Sequence, residues 1–169
     1  MLNKTFIHES ADVHIAAHVG EGTAIWQNVV VTSAAKIGKN CVIGANAFID
    51  GEVGDYCKIG NGVCVFQGVV LEDNVFVSHG ASFANVSIPK TYRPIERDYY
   101  KKTIIRSGAT IEINATISPG IEIGKGAIVG MGSVVLEDVP SKVLVRGNPA
   151  QVSLRALKNK YQRYVNKND

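Results

Sequence analysis

Aliphatic residues recur at every sixth position over most of the chain. From Ile7 the series runs Ile7, Val13, Val19, Ile25, Val31, Ile37, Ile43 and Ile49 without a miss. Four residues after each comes a small or β-branched companion: Ala11, Ala17, Thr23, Val29, Ala35, Cys41 and Ala47. A four-residue step from Ile49 to Val53 resets the phase. A second run then follows as Val53, Ile59, Val65, Leu71, Val77 and Phe83, with Cys57, Val63, Val69, Val75 and Ala81 as companions. The third run is Ile105, Ile111, Ile117, Ile123, Val129 and Val135, accompanied by Ala109, Ala115, Ile121, Ala127, Ser133 and Val139.

An amphipathic helix repeats its apolar positions every 3.6 residues and an ordinary strand every two, so a strict period of six fits neither. A short fixed period sustained over this length is the mark of a stacked repeat. Each hexad reads as one short strand and a corner, the aliphatic residue inside and the small one where the chain turns. Glycines directly after the aliphatic residue (Gly20, Gly38, Gly44, Gly54, Gly60, Gly124 and Gly130) suit backbone that bends without a side-chain clash. At three hexads per coil, about twenty hexads make roughly six to seven coils, stacked about 4.8 Å apart into a prism about 30 Å tall. Periodicity leaves the handedness and the number of sides open, and most parallel crossovers are right-handed.

The period fails between residues 84 and 104, a segment carrying Pro89, Arg93, Pro94, Arg97, Tyr99 and Tyr100. This is a loop extruded from the coils, and long loops in compact domains usually serve binding, catalysis or subunit contact. After Val139-Pro140 the repeat ends, and Leu154, Leu157, Tyr161 and Tyr164 follow at helical spacing. A short helix over about 150–165 is expected there, capping the open end of the stack. One domain spans 1–169, with coils over about 5–83 and 105–140.

Composition narrows the picture modestly. With 46% hydrophobic residues the chain can bury a continuous core. A net charge of +3, with Lys158, Lys160, Arg163 and Lys167 near the end, is compatible with anionic small ligands but too weak to indicate nucleic acid. Cys41, Cys57 and Cys64 are too few and too irregular for a disulfide framework or zinc knuckle, so reduced thiols in a cytoplasmic protein are expected. The chain opens on no basic-then-apolar leader and contains no run of about 18 apolar residues; it is expected to be soluble, with no membrane insertion.

Three stretches carry a family resemblance: Lys36-Ile37-Gly38-Lys39-Asn40-Cys41-Val42-Ile43-Gly44; Val70-Leu71-Glu72-Asp73-Asn74-Val75-Phe76-Val77 leading to Phe83-Ala84-Asn85; and Val129-Gly130-Met131-Gly132-Ser133-Val134-Val135 through Gly147-Asn148-Pro149-Ala150. Together they resemble the bacterial hexapeptide-repeat acyltransferases, and within them the N-acetyltransferases of 3-amino sugars linked to a nucleoside diphosphate. The resemblance implies an all-β fold, a three-sided left-handed parallel β-helix with the extruded loop and the short C-terminal helix. It also implies a homotrimer with active sites between subunits and acetyl-CoA as co-substrate along the later coils. The implied reaction is acetylation of the 3-amino group of a dTDP- or UDP-linked deoxyamino sugar, for surface polysaccharide such as O-antigen. A hydroxyl or 4-amino acceptor is the nearest alternative, and a non-catalytic β-helix assembly module the more distant one.

An amine attacking a thioester needs donors for the oxyanion and a destination for a proton, and positioning supplies much of the rate. The family's Phe-Thr-Asn motif falls on Phe83-Ala84-Asn85, which implies that Asn85 orients the amine. The family's Thr is Ala84 here, its following Asp is Val86, and its Trp-His pair is Trp26-Gln27, all of which bear on the exact acceptor. His79 is the candidate general base. Glu72 and Asp73 are candidates for the sugar hydroxyls or for polarising His79, and Arg93 and Arg97 for the substrate. Arg146, Arg155 and Lys158 are candidates for coenzyme A phosphates, with backbone amides around Gly130 and Gly147 holding the pantetheine arm and the Gly147, Asn148, Pro149 and Ala150 segment forming its seat. No metal is expected: His8, His14 and His18 are grouped early, and no second histidine follows His79 as a zinc-dependent carbonic anhydrase of this fold would need. Gly120 to Lys125 lacks the spacing of a phosphate loop and reads as a coil corner.

Overall fold

The computed structural model describes residues 4–89, 91 and 100–153. Up to Val135 each aliphatic position closes a strand of two or three residues, and each of these strands pairs in parallel with the strand three before or three after it. Three faces result, about seven turns tall. The first carries Phe6–Ile7, Ala24–Ile25, Val42–Ile43, Lys58–Ile59, Phe76–Val77, Thr110–Ile111, Ile128–Val129 and Leu144–Arg146. The second carries Asp12–Val13, Val30–Val31, Phe48–Ile49, Cys64–Val65, Ser82–Phe83, Thr116–Ile117 and Val134–Val135. The third carries His18–Val19, Lys36–Ile37, Glu52–Val53, Val69–Leu71, Thr103–Ile105 and Glu122–Ile123.

The aliphatic residues stack on their equivalents one coil away. Ile25, Ile43, Ile111, Ile117 and Ile123 are wholly buried, as are companions such as Val29, Val63, Ala109 and Ala115. Burying an Ile side chain contributes about 1.5–3 kcal/mol, so this column is the main force holding the prism together. The backbone bends where the third residue after the aliphatic one takes a left-handed conformation, as at Asn28, Asn40, Asn46, Gly62, Asn74, Gly80, Asn114 and Gly132. Glycine and asparagine tolerate that region best. The glycines directly after the aliphatic residue do something different: a Cβ on Gly38 would lie 2.6 Å from the carbonyl carbon of Gly54, so they permit coils to stack closely. The expected bend thus falls two residues later than those glycines.

Every change in repeat length falls on one corner, between the second and third faces. The step from Ile49 to Val53 omits two residues, and so does the step from Val135 to Val139, which bridges to Ile123. The loop after Phe83 lies on the same corner. Its base is closed by the Lys101 N–H donating to the Asn85 carbonyl at 2.8 Å, and Val69–Leu71 pairs in register with Thr103–Ile105 across it. The strand therefore resumes two residues before the expected end of the loop.

The C-terminal expectation needs correction. The coils continue past residue 140, because Leu144–Arg146 adds an eighth parallel strand to the first face, and Gln151–Val152 folds back antiparallel onto it. Residues 151–152 are thus a strand where a helix was expected to begin, since their backbone groups complete the edge of the sheet. The rest of the expected helix lies outside the described residues, among which there is no helix, and none long and apolar enough to cross a membrane.

Candidate functional site

The three groups of candidate residues stand on three different corners. His79 follows Phe76–Val77 at the first–second corner, Asn85 follows Ser82–Phe83 at the second–third corner, and Glu72 and Asp73 follow Val69–Leu71 at the third–first corner. A face separates each pair of corners, so one chain cannot gather these side chains into a single constellation.

The first–second corner does unite several of them. His79, Ile113-Asn114 and Met131-Gly132 form one column: the Asn114 N–H donates to the His79 carbonyl at 3.1 Å, and the Gly132 N–H to the Ile113 carbonyl at 2.9 Å. The segment Gly147 to Ala150 closes over the top. Gly147 N–H donates to Ser133 Oγ at 3.2 Å, and Val134 N–H and Ala150 N–H tie to the carbonyls of Gly147 (2.9 Å) and Val134 (2.8 Å). Gly130 lies beneath Arg146, its N–H donating to the Val145 carbonyl at 2.8 Å. The Gly130 and Gly147 N–H groups are therefore both engaged within the chain. Arg146, Asn148 and Pro149 are exposed, and Ile113 and Met131 (66%) present apolar surface along the same column.

His79 Nδ1 accepts the Asn61 N–H at 2.8 Å. In neutral imidazole the proton then sits on Nε2, so the outward nitrogen donates. A base role requires the ring to leave Asn61. Trp26, Gln27, Asn61, Phe76 and His79 line a shallow groove of about 370 Å³ on this side, where Trp26 packs against Phe6 at 5.6 Å between ring centroids.

At the second–third corner, Asn85 is half-buried and its Nδ2 donates to the Gln67 carbonyl at 3.0 Å. That bond fixes the amide and leaves Oδ1 without a partner among the described residues. Arg93 and Arg97, like Arg155 and Lys158, lie outside the described residues.

At the third–first corner Glu72 is fully occupied. Oε1 pairs with Arg106 at 2.7 Å, Oε2 accepts the Ser107 N–H at 2.9 Å and the Ser107 hydroxyl at 3.0 Å, and Arg106 also grips Glu122 at 2.6 Å. The Arg106 guanidinium holds the Glu72 and Glu122 carboxyls below the usual carboxylate range. Asp73 accepts the Asp55 N–H at 2.8 Å, a tie between coils. Sequence reading missed Arg106; the signal was an arginine directly after Ile105, one coil above the acid that follows Leu71. His8, His14 and His18 belong to separate corners and faces, and among the described residues no group of His, Cys, Asp and Glu converges on a metal position.

Comparison with known proteins follows the same division. Residues 16–51 and 102–137 match the bacterial transferase hexapeptide model (six repeats). This chain is a hexapeptide-repeat protein. The unmatched residues between those stretches begin at the short step and end at the loop. A serine acetyltransferase from Buchnera aphidicola is 34% identical over 107 residues, covering 63% of this chain and 36% of that one. The GDP-perosamine N-acetyltransferase of Caulobacter crescentus, as a single-histidine variant with CoA and GDP-perosamine, aligns with a TM-score of 0.58 and 26% identity, over 89% of the hexapeptide-repeat chain and 56% of the other. A UDP-N-acetylglucosamine acyltransferase from Bacteroides fragilis aligns at a TM-score of 0.75 and 19% identity, over 89% and 60%. That likeness and the repeats fit the left-handed β-helix expected from the sequence. The chain thus spans between about a third and three fifths of these proteins' lengths.

Proposed function

We propose that the chain is an acetyl-CoA-dependent N-acetyltransferase acting on an amino group of a nucleotide-linked sugar. The carrying observation is the division of labour between two corners. One offers an extended rail with Arg146, an apolar strip at Ile113 and Met131, and the donor nitrogen of His79. The other offers Asn85 with a fixed amide, beside a loop. The likeness to the Caulobacter enzyme, whose complex holds CoA and GDP-perosamine, supports this reading. The Phe83-Ala84-Asn85 resemblance favours the 3-amino group over a 4-amino group or a hydroxyl. The setting we propose is cytoplasmic, upstream of surface polysaccharide.

In this reading CoA lies along the first–second corner of one subunit, with Arg146 meeting its phosphates. The amine nitrogen, held through Asn85 Oδ1 of a neighbouring subunit, attacks the thioester carbonyl. The C–N bond forms, the C–S bond breaks, and the ammonium proton passes to the departing thiolate or to water. His79 Nε2–H supports the oxyanion or the leaving sulfur as a donor. Because the two corners are separated by the width of the second face of one prism, the reading requires an oligomer, and a cyclic homotrimer is our proposal.

Two measurements test it. Free thiol released from acetyl-CoA is followed with a panel of nucleotide-linked 3-amino, 4-amino and hydroxy sugars; turnover on the 3-amino sugar is expected, and none on any amino sugar overturns the activity. Co-expressing Asn85→Ala with His79→Ala subunits then tests the two-subunit site. Random mixing leaves roughly a quarter of clefts with both side chains intact, so each variant alone is impaired and the mixture recovers in proportion. No recovery refutes the shared site.

A further inference from the structure

The short step at Gly51 leaves a notch in the second–third corner. Gly51 is buried, and a Cβ there would lie 2.5 Å from the Val69 carbonyl oxygen and 2.7 Å from that of Phe66. The backbone is drawn inward, with the N–H groups of Asp50 and Gly51 both donating to the Val65 carbonyl, at 2.8 and 3.0 Å. The corner of the next coil, at Gln67-Gly68, keeps its full length, so a depression of about 360 Å³ opens. The other two-residue omission, at Val135 to Val139, also lines a depression, of about 250 Å³.

The Gly51 notch is lined by Lys36, Asp50, Glu52, Gln67, Tyr100 and Lys102. We infer that it seats the pyranose ring of the acceptor sugar and sets which sugar is accepted; this rests on the reading proposed above. Four features carry the inference. The volume sits at the small end of ligand pockets, room for one ring rather than for a whole nucleotide-sugar. The wall is balanced, two cations against two carboxylates, which suits hydroxyls that both donate and accept rather than a diphosphate. Lys36 Nζ meets Glu52 Oε1 at 3.0 Å and the Thr32 hydroxyl donates to Asp50 Oδ1, while Lys102 has no partner among the described residues. Tyr100 adds a half-buried aromatic ring for the C–H face of a sugar. Finally, Gln67 belongs both to the notch and to the Asn85 anchor, its carbonyl accepting Asn85 Nδ2. A ring in the notch is therefore one residue away from the amide proposed to orient its amine.

The test uses UDP- and dTDP-linked 3-amino hexoses of gluco and galacto configuration, with UDP, dTDP and acetyl-CoA alone as controls. Saturation-transfer NMR reads which ligand protons touch the protein, and steady-state kinetics supply KM. The variants are Lys102→Met, Tyr100→Leu, and insertion of two glycines between Asp50 and Gly51, which restores an eighteen-residue coil. The expected result is contact to ring protons in the wild type and its loss in the variants, with acceptor KM raised about tenfold and the gluco/galacto ratio changed, while KM for acetyl-CoA and affinity for UDP or dTDP hold. If the insertion fails to fold, the two substitutions carry the test alone. Weakened UDP or dTDP binding, unchanged acceptor KM and epimer ratio, or absence of ring-proton contact overturns it. Should ring contact be present and Lys102-dependent without any acetyl transfer, the notch stands and the proposed activity falls.

Discussion

The first–second and second–third corners share one core and the same coils, yet only one of them is regular. Along the first–second corner every step between faces is six residues, from Ile25–Val31 to Val129–Val135. Along the second–third corner two steps lose two residues and one gains the loop. The difference teaches how a solenoid separates stability from function. Uninterrupted corners give a straight rail, matched to an extended, flexible ligand arm. Interruptions collected on one edge give concavity and side-chain reach without disturbing the aliphatic column, because Thr103–Ile105 returns in register on Val69–Leu71.

Glycines on the two corners should break in different ways. Gly51→Ala meets backbone oxygens at 2.5 and 2.7 Å, neither of which is the end of a flexible side chain. Its expected cost is about 3 kcal/mol or more, by displacing packed backbone. Gly62→Ala at the first–second corner meets no atom within 4 Å but carries φ +70°, so only the left-handed penalty of roughly 1–2 kcal/mol applies. Urea unfolding of both variants measures the contrast; equal losses would show that the short step is not sterically special. At the same position Gly62→Asn should recover most of the loss, since asparagine occupies the equivalent place at Asn28, Asn46 and Asn114.

How far the sequence disclosed this contrast depends on what each residue does. The column from Ile25 to Val135 was legible because burial acts on every sixth side chain and leaves a period. The short step at Ile49 to Val53 and the loop were legible as failures of that period. The second short step, Val135 to Val139, passed as an ending because Pro140 follows it and no further run of hexads resumes. The site was less legible. Asn85, His79 and Glu72 lie within fourteen residues of one another in the chain, and proximity in sequence made them look like one constellation; the three-sided turn sends them to separate corners. Nor does any pattern of residue types announce that the Gly130 and Gly147 amides are consumed by Val145 and Ser133.

The rail can be sharpened at Arg146. It is exposed, next to the Gly147 to Ala150 seat, and Gly130 lies against its Cβ. Arg146→Ala should raise KM for acetyl-CoA about fivefold with little change in kcat, because a solvated phosphate contact contributes to ground and transition states alike. Acceptor KM should hold. An acceptor-side effect instead would merge the two corners into one binding surface.

The smallest expected effect concerns the third–first corner, which stays regular although the loop interrupts the chain between its partners. Glu72 precedes the loop, and Arg106 and Ser107 follow it, so their contacts act between segments 34 and 35 residues apart. With its pKa lowered from 4.5 chiefly by Arg106, Glu72 adds stability that is present above about pH 4.5 and lost as pH falls through the folded value; Glu122, lowered by the same arginine, has the same sign. These carboxylates are a third or more exposed, so solvent screens much of the gain. Glu72→Gln should lower Tm at pH 7 by about 2–4 °C, and calorimetry between pH 7 and pH 3 should find the wild-type and variant curves converging at the acid end. Parallel curves would mean that the acid serves the loop only through the neutral hydrogen bonds to Ser107, which glutamine partly keeps. Convergence would mean that charge on Arg106 holds the two sides of the interruption in register, so that the regular corner is regular because its own ion pair joins the chain segments before and after the loop.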